Sequence, residues 1–241
     1  MSDYSVYGFT EHKTRHHIWT PQEWAYRPGT DFWAFFGNSG LLTSGVAHEL
    51  SDYGWTTTTL AFASPDDADF LSADDIGTPN GLVFADSTDL LQSPAIFGDY
   101  NHGRMIEEIL GKFPTQLVME VYAAFTTVTG TSNRSGFGLV EAGGTAGVAA
   151  DELAWIYTDG TNFTIRSDAD SDAGAADDTN YHLWKIVVSS GDKTDAVEWF
   201  IDDVSQGTRD RKTDEWPVSF GIYAHTTNRF VLNRIHIYYL R

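Results

Sequence analysis

Three acidic residues in one short segment could bind a cation. Asp168, Asp170 and Asp172 alternate within Asp168–Gly174, and alternating carboxylates suit a hard cation such as Ca2+, which takes about six to eight oxygen ligands. The spacing departs from the EF-hand loop, because the glycine comes one position late and Thr179 stands where a bidentate glutamate belongs. The sequence therefore allows two interpretations of this segment, a Ca2+ site and a solvated acidic loop, and it predicts no other cofactor.

Proton transfer has its candidate groups near the end of the chain. His236 and Tyr238 are two residues apart, so they share one face of a strand. His182 and Arg234 could converge with them, and such groups act in general acid–base chemistry. Glycoside hydrolysis would need two carboxylates at a set separation, and the strand predicted at 117–126 offers only Glu120. The sequence therefore predicts a protein without enzymatic activity, with Glu120 solvated on an outer face.

The elements that must position these groups are predicted to be strands. Apolar and polar residues alternate along 117–126, 181–188, 197–201, 218–224 and 231–240, which is the period of a half-buried strand. Short strands are also expected at 55–62, 81–85, 135–140, 153–157 and 163–165. Asp159-Gly160 and Asp202-Asp203 mark turns, and 167–180 is interpreted as a polar loop. One short helix is predicted around 105–111, with Gly111 as its C-cap.

Composition limits the partners. The chain has 241 residues and 34 acidic against 15 basic side chains, for a net charge of −19. Such a surface repels nucleic-acid phosphates and anionic membranes, so neither is a predicted partner. The absence of cysteine excludes thiolate nucleophiles and disulfides. The N-terminal residues lack a signal peptide's basic and apolar regions, and we expect synthesis in a host cytoplasm.

The first fifty residues differ from the rest and predict a docking segment. Residues 1–50 are aromatic but weakly periodic, so we interpret them as an arm whose apolar groups pack on the main domain, residues 51–241, or on another molecule. Aromatic side chains are enriched in buried interface cores. The predicted partner-docking residues are Trp19, Trp24, Phe32, Trp33, Phe35 and Phe36.

The order of elements resembles a known superfamily. The chain begins this order with a short helix, followed by Phe113-Pro114-Thr115-Gln116, a long strand with Glu120 and the glycine-flanked strand Ser135–Leu139. It continues with the hairpin Tyr157–Asn162 and the segments His182–Ile186, Trp199–Asp203 and Leu232–Ile237. Over residues 55–241 this order resembles the concanavalin A-like jelly roll, the lectin and laminin-G type of sandwich. The resemblance implies an all-β jelly-roll sandwich with an N-terminal extension. Many such proteins have Asp-Gly where this chain has Asp202-Asp203.

The superfamily contains several classes of function. It includes lectins, glycoside hydrolases, polysaccharide lyases and virion surface proteins, so the fold does not choose among them. Related hydrolases carry Glu-x-Asp-x-x-Glu on one strand, which this chain lacks, and related lyases use His and Tyr with Arg and Gln.

We predict a virion surface component, of capsid or tail, anchored by the arm to other virion proteins or to copies of itself. The alternatives are a lectin-like module and a glycan-cleaving enzyme. Glycan contact would fall to exposed aromatic and amide side chains, with Trp155, Tyr157 and Asn162 as candidates.

Overall fold

The computed structural model describes the second half of the chain almost continuously and the first half in short segments. The described residues are 31–35, 56–58, 82–84, 90–93, 115–125, 128, 135–141, 144–167, 170–190, 192–211, 219–223 and 230–240. Within these ranges the regular structure is strand, apart from one 3-10 turn at Ala149–Asp151.

The described strands form two antiparallel sheets. Sheet A contains β1 (Asp31–Phe35), β3 (Leu82–Phe84), β5 (Gln116–Phe125), β10 (Tyr181–Ser189), β11 (Val197–Ile201), β12 (Val204–Arg209) and β14 (Phe230–Leu240). Sheet B contains β2 (Thr56–Thr58), β4 (Leu90–Gln92), β6 (Gly136–Val140), β7 (Glu152–Thr158), β8 (Asn162–Ser167), β9 (Asp170–Ala176) and β13 (Ser219–Tyr223). The order is β1-β14-β5-β10-β11-β12 in sheet A, where β3 also pairs with β14, and β2-β4-β13-β6-β7-β8-β9 in sheet B. The predicted all-β sandwich of jelly-roll type is confirmed.

The core lies between the sheets and is rich in aromatic side chains. Along β5, Met119, Val121 and Ala123 are buried while Glu120 and Tyr122 are partly exposed, as a strand with one buried face requires. Trp184 is central to this core: its ring meets those of Phe125, Phe137 and Phe163 edge-on, with centroids 4.7–5.9 Å apart. The Trp184 indole N–H donates to the Ala123 carbonyl at 3.1 Å, which satisfies its buried polar atom.

Most of the predicted strands are found, and one predicted loop is wrong. Instead of a polar loop over 167–180, the structure has strand β9 at Asp170–Ala176, paired with β8. Its alanine, serine and glycine residues gave no apolar alternation, because β9 is the edge of sheet B and most of its side chains are exposed. Strand β4 was also missed.

Contacts across the sandwich hold β9 in place. The Arg209 guanidinium Nε of β12 lies 2.8 Å from the Asp172 carboxylate, and the Ala175 N–H donates to the Gln206 side chain at 2.9 Å. A Cβ at Gly174 would lie 2.5 Å from the Trp199 ring, so glycine lets the strand pack on that tryptophan. The small residues of β9 therefore close one edge of the sandwich.

Part of the predicted arm belongs to sheet A. Strand β1, Asp31–Phe35, pairs with β14 so that Trp33 stands opposite His236. The remaining residues of 1–50 and the predicted helix at 105–111 lie outside the described residues.

The turn Asp202-Asp203 joins β11 to β12. Both residues have positive φ, 50° and 65°, as a two-residue type I′ hairpin requires. The Asp202 carboxylate accepts the Leu183 N–H at 2.9 Å. This bond fixes the turn to β10 without the glycine that such turns usually carry.

Candidate functional site

The outer face of sheet A gathers aromatic and charged side chains that are only partly buried. Because successive residues alternate between faces, the side chains opposite to the core on β5, β10, β11 and β14 point away from sheet B. The register then sets them side by side: Glu120 stands between His236 on β14 and Lys185 on β10. We call this set the sheet A face, and its members are Glu120, Tyr122, Tyr181, Lys185, Phe200, Arg234, His236 and Tyr238.

Glu120 is the centre of the sheet A face. The Tyr238 hydroxyl donates to its Oε1 at 3.2 Å, and the His236 Nδ1 lies 3.4 Å from its Oε2. The hydrogen bond of His236 lowers the pKa of Glu120, and this effect, helped by the charges of His236 and Lys185 and by Tyr238, outweighs burial. Glu120 is therefore an ionised acceptor at neutral pH.

Two stacked ring pairs flank this carboxylate. Tyr122 and Tyr181 stack with centroids 5.2 Å apart and planes at 30°. His236 and Tyr238 stack at 4.4 Å and 29°. Burial, together with the neighbouring Tyr122, raises the pKa of Tyr181 to about 12, so its hydroxyl stays protonated. The rings therefore form an aromatic platform on either side of a negative centre.

Two cations lie over rings of the same face. The Arg234 guanidinium lies 5.6 Å from the Tyr122 centroid, and the Lys185 ammonium lies 4.4 Å from the Phe200 centroid. Lys185 is also 2.6 Å from the Asp203 carboxylate. Aromatic faces attract such cations and keep them in fixed positions.

The outer face of sheet B is also aromatic, but it is covered. Trp155 and Tyr157 of β7 are 0% and 5% exposed and cluster with Leu90, Val140 and Ala146. The loop between β6 and β7, described at 141 and 144–151, lies over them; we call it the covering loop. Gln92 fixes it, because its amide donates to the Gly144 carbonyl at 2.9 Å and accepts the Ala146 N–H at 3.0 Å.

This burial corrects the predicted glycan contacts. Trp155 and Tyr157 were expected to be exposed, and the structure places both inside, because the covering loop packs on the side of β7 that the strand period leaves outside. Asn162 is partly exposed at the start of β8. Its N–H donates to the Asp159 carboxylate at 2.8 Å, so its backbone belongs to the β7–β8 turn.

A buried ion pair also lies on this side of sheet B. Arg166 pairs with Glu152 through its Nε at 2.7 Å and lies 5.2 Å from the Tyr157 ring centroid. Both members are buried. Sequence reasoning did not find this pair.

His182 stands apart from the sheet A face. It lies on the core side of β10, with its ring 5.8 Å from Phe163, so the expected convergence with His236 does not occur. Its Nδ1 is 2.6 Å from the Asp202 carboxylate and its Nε2 is 3.0 Å from that of Asp178. Burial would lower the pKa of His182, but the bonds to Asp202 and Asp178 outweigh burial and raise it.

The remaining predicted site residues fall in different places. Of the three aspartates proposed for Ca2+, Asp168 and the side chain of Asp170 lie outside the described residues, and Asp172 pairs with Arg209. Among the described residues no group of three or more His, Asp or Glu could hold a metal ion. The docking residues Phe32, Trp33 and Phe35 lie on β1, while Trp19, Trp24 and Phe36 lie outside the described part.

The structure does unite three of the groups predicted for proton transfer. Arg234, His236 and Tyr238 follow one another on one side of β14, and Glu120 joins them from β5. Sequence reasoning treated Glu120 as a solvated residue and did not single out Tyr122, Tyr181, Lys185 or Phe200. Their polar and aromatic alternation with the core residues was the available signal, but only the strand order shows that they are neighbours.

Comparisons with known proteins give similarity of fold at low identity. No protein-family model and no curated protein matches the sequence. Among solved structures, the metal-free carbohydrate recognition domain of Emp46p is 10% identical, with 84% of this chain and 95% of that chain covered and a TM-score of 0.48. An alginate lyase from Corynebacterium sp. is 12% identical, with 75% and 86% covered and a TM-score of 0.46.

Other similar structures are longer than this chain. A sialidase of Trypanosoma rangeli in complex with 2,3-difluorosialic acid is 13% identical, with 69% of this chain covered and a TM-score of 0.45. The chain spans 26% and 15% of the lengths of two sialidase chains that it matches.

The described residues contain no helix that is long and apolar enough to cross a membrane.

Proposed function

We propose that this chain binds carbohydrate and that the glycan lies on the sheet A face. The observation that carries the proposal is the grouping of two stacked ring pairs around an ionised carboxylate. A sugar ring has apolar C–H faces and a rim of hydroxyl groups. Aromatic rings suit the C–H faces, and a few fixed polar groups suit the hydroxyls.

The polar groups of the face match sugar hydroxyls in type. Glu120 is an acceptor that its neighbours hold ionised, and Tyr238 and His236 adjoin it. Charge-assisted hydrogen bonds from hydroxyl groups to such a carboxylate are stronger than neutral ones. The face therefore offers both stacking and orientation to a sugar.

Because these groups lie on strands, a ligand can bind to them without a rearrangement of the backbone. All eight members of the sheet A face belong to β5, β10, β11 or β14, whose backbone positions are set by ladder hydrogen bonds. Sites built on rigid elements lose little conformational freedom when a ligand binds. A single sugar contact is weak, so a repeated array would gain strength through effective concentration.

We keep the proposal non-catalytic because of the charges around Glu120. Glycoside hydrolysis uses one carboxylic acid with a raised pKa beside a second carboxylate. In the described part of the chain, the groups that act on Glu120 are His236, Tyr238 and Lys185, none of them a second carboxylate, and its pKa is lowered. This is the opposite of an acid poised to protonate a leaving group.

The test is titration calorimetry of the full chain against oligosaccharides of several sugar types, preceded by a glycan array. We expect micromolar to millimolar binding to some glycan. Tyr122→Ala should weaken that binding at least about tenfold, because the stacked platform is lost. Val148→Ala, on the exposed covering loop of the opposite sheet, is the matched control and should leave affinity unchanged. Silence across the array would reject the proposal.

A second candidate is a lyase, favoured by the contact of Tyr238 and His236 with Glu120. Abstraction of a proton next to a uronate carboxylate needs a base and a group that stabilises the resulting charge. Arg234, His236 and Tyr238 are groups of that type on one strand. The test is to follow the ultraviolet absorbance of an unsaturated product during incubation with a uronate polymer. If that absorbance rises with the unmodified chain and does not rise with Tyr238→Phe, the function is elimination and not binding alone.

The virion-surface role predicted from the sequence is a separate proposal. It depends on residues 1–50 docking on other virion proteins or on copies of this chain. Co-purification of the full chain with a larger particle, lost when residues 1–30 are removed, would support it. A glycan-binding face would then be presented outward from that particle.

A further inference from the structure

One cation of the sheet A face, Arg234, has no acidic partner among the described residues. Within the described part of the chain, the Arg234 guanidinium makes no hydrogen bond or ion pair, and it lies over the face of the Tyr122 ring. The Tyr122 hydroxyl likewise makes no hydrogen bond there. Both side chains are partly exposed, so a ligand can reach them.

Three other cations of the described residues form ion pairs with acidic side chains. Arg166 pairs with Glu152, Lys185 with Asp203 and Arg209 with Asp172. Acidic side chains outnumber basic ones, 34 to 15, so a partner is easily supplied in this chain. Arg234 contacts a ring instead of an acidic side chain, and it lies at the face proposed for the ligand.

The position of Arg234 divides the sheet A face into two chemically different ends. Arg234 stands opposite Tyr122 in the pairing of β14 with β5, and His236, with its neighbour Glu120, comes next on the same side. One end thus presents a planar cation with a neighbouring hydroxyl donor, and the centre presents an ionised acceptor. A ligand that satisfies both needs an anionic group at one end and hydroxyl groups at the next position.

We propose that the glycan bound by the sheet A face is acidic, with a sugar carboxylate or sulfate held by Arg234 and Tyr122. The guanidinium fork matches such planar or tetrahedral anions with two parallel hydrogen bonds. Tyr122 holds the fork from below and donates its hydroxyl beside it. The proposal rests on the proposed carbohydrate-binding function and names the class of sugar.

The net charge of the chain decides which probe is suitable. A net charge of −19 repels a long polyanion, but this repulsion is screened beyond about 8 Å at physiological ionic strength. A direct guanidinium–anion contact is much shorter and survives such screening. Short acidic oligosaccharides in about 0.15 M salt are therefore the correct ligands.

The experiment compares matched acidic and neutral sugars on the intact chain. Uronate oligosaccharides containing glucuronate, galacturonate or mannuronate are titrated beside their neutral methyl esters, and a sulfated oligosaccharide forms a third arm. We expect at least one acid to bind about tenfold more tightly than its ester. The uronate and sulfate arms distinguish which anion is preferred.

The variants separate the charge of Arg234 from the rest of the face. Arg234→Gln should abolish the preference for the acid while binding of the ester persists, and Arg234→Lys should restore part of the preference. Arg209→Gln, which removes one positive charge at the sandwich edge, is the matched control and should leave the preference unchanged. Far-ultraviolet circular dichroism and the unfolding midpoint establish that each variant is folded.

The possible failures are distinct. If esters bind as well as acids, or Arg234→Gln leaves the preference intact, the assignment of an acidic sugar is overturned while carbohydrate binding stands. If acids, sulfates and esters all fail to bind while the glycan array shows binding of another sugar, only the acidic assignment falls. If the array is silent as well, the proposed function itself falls.

Discussion

The two outer faces of this sandwich are both rich in aromatic residues, and they differ in what lies over them. On sheet B the covering loop buries Trp155 and Tyr157 against Ala146 and Val140. On sheet A, Tyr122 and Tyr238 keep part of their surface exposed beside Glu120. Aromatic content alone therefore does not mark a binding face. A ring that is covered stabilises the fold, and a ring that is left partly exposed beside a partly exposed carboxylate is available to a ligand.

Truncating one ring on each face gives the largest contrast. Trp155→Ala should lower the free energy of unfolding by about 4 kcal/mol, because a fully buried indole leaves a cavity. Tyr122→Ala, at a partly exposed position, should cost about 1 kcal/mol. Urea unfolding followed by circular dichroism measures both. Equal losses in the free energy of unfolding would mean that the rings of the sheet A face contribute as much to stability as those on the outer face of sheet B.

A carboxylate on each face provides the next contrast. Glu152→Gln should destabilise the fold by about 3 kcal/mol, because it removes one charge of the buried ion pair that Glu152 forms with Arg166. Glu120→Gln should cost about 0.5 kcal/mol at neutral pH, because its contacts are partly solvated. The same denaturant titration compares them, and a larger loss for Glu120→Gln would reverse the roles assigned to the two faces.

Two glycines test whether the covering loop is packed as tightly as the contacts indicate. A Cβ at Gly147 would meet the Tyr223 ring at 2.5 Å at a φ of +81°, whereas one at Gly207, with φ +127°, meets nothing within 4 Å. Gly147→Ala should cost about 2 to 3 kcal/mol from strain and clash together. Gly207→Ala, with backbone strain alone, should cost about 1 kcal/mol. Acrylamide quenching of tryptophan should rise only in Gly147→Ala.

The smallest effect concerns pH and lies at the end of the sandwich, away from both faces. The pKa of His182 is raised in the folded state, so protonated His182 stabilises the fold. This contribution to the free energy of unfolding is fully present below the unfolded pKa, about 6.5, and is lost as pH rises through the folded pKa. The lowered pKa values of Asp178 and Asp202 give the opposite sign, so their contribution is lost only as pH falls through those values.

His182→Gln should therefore cost about 1 kcal/mol near pH 6 and less near pH 9. Unfolding free energies measured for both proteins at the two pH values provide the test. A difference that is the same at both values would show that His182 contributes by packing alone. Neither face of the sandwich should gain or lose glycan affinity in this variant.

The sequence supplied most of the strand content but little of the candidate site. Strands β5, β10, β11, β13 and β14 were predicted because one side of each packs on the core and the other does not, which leaves a period of two in the residue types. Strand β9 was missed because an edge strand with exposed alanine and serine has no such contrast. Trp155 was expected to be exposed for a different reason. Alternation along β7 places it on the outer face of the strand, but alternation does not show that a loop covers that face.

What the sequence determined by itself is the class of fold, the acidic surface and the set of groups available for chemistry. Alternation is local, so it can be read from neighbouring residues. Only the tertiary structure decided that Glu120 meets His236, which is 116 residues further along the chain. It also decided that Arg234 lies over Tyr122 while Arg166, Lys185 and Arg209 find acidic partners. Those relations depend on strand order and register, which bring distant segments together and have no counterpart in local spacing.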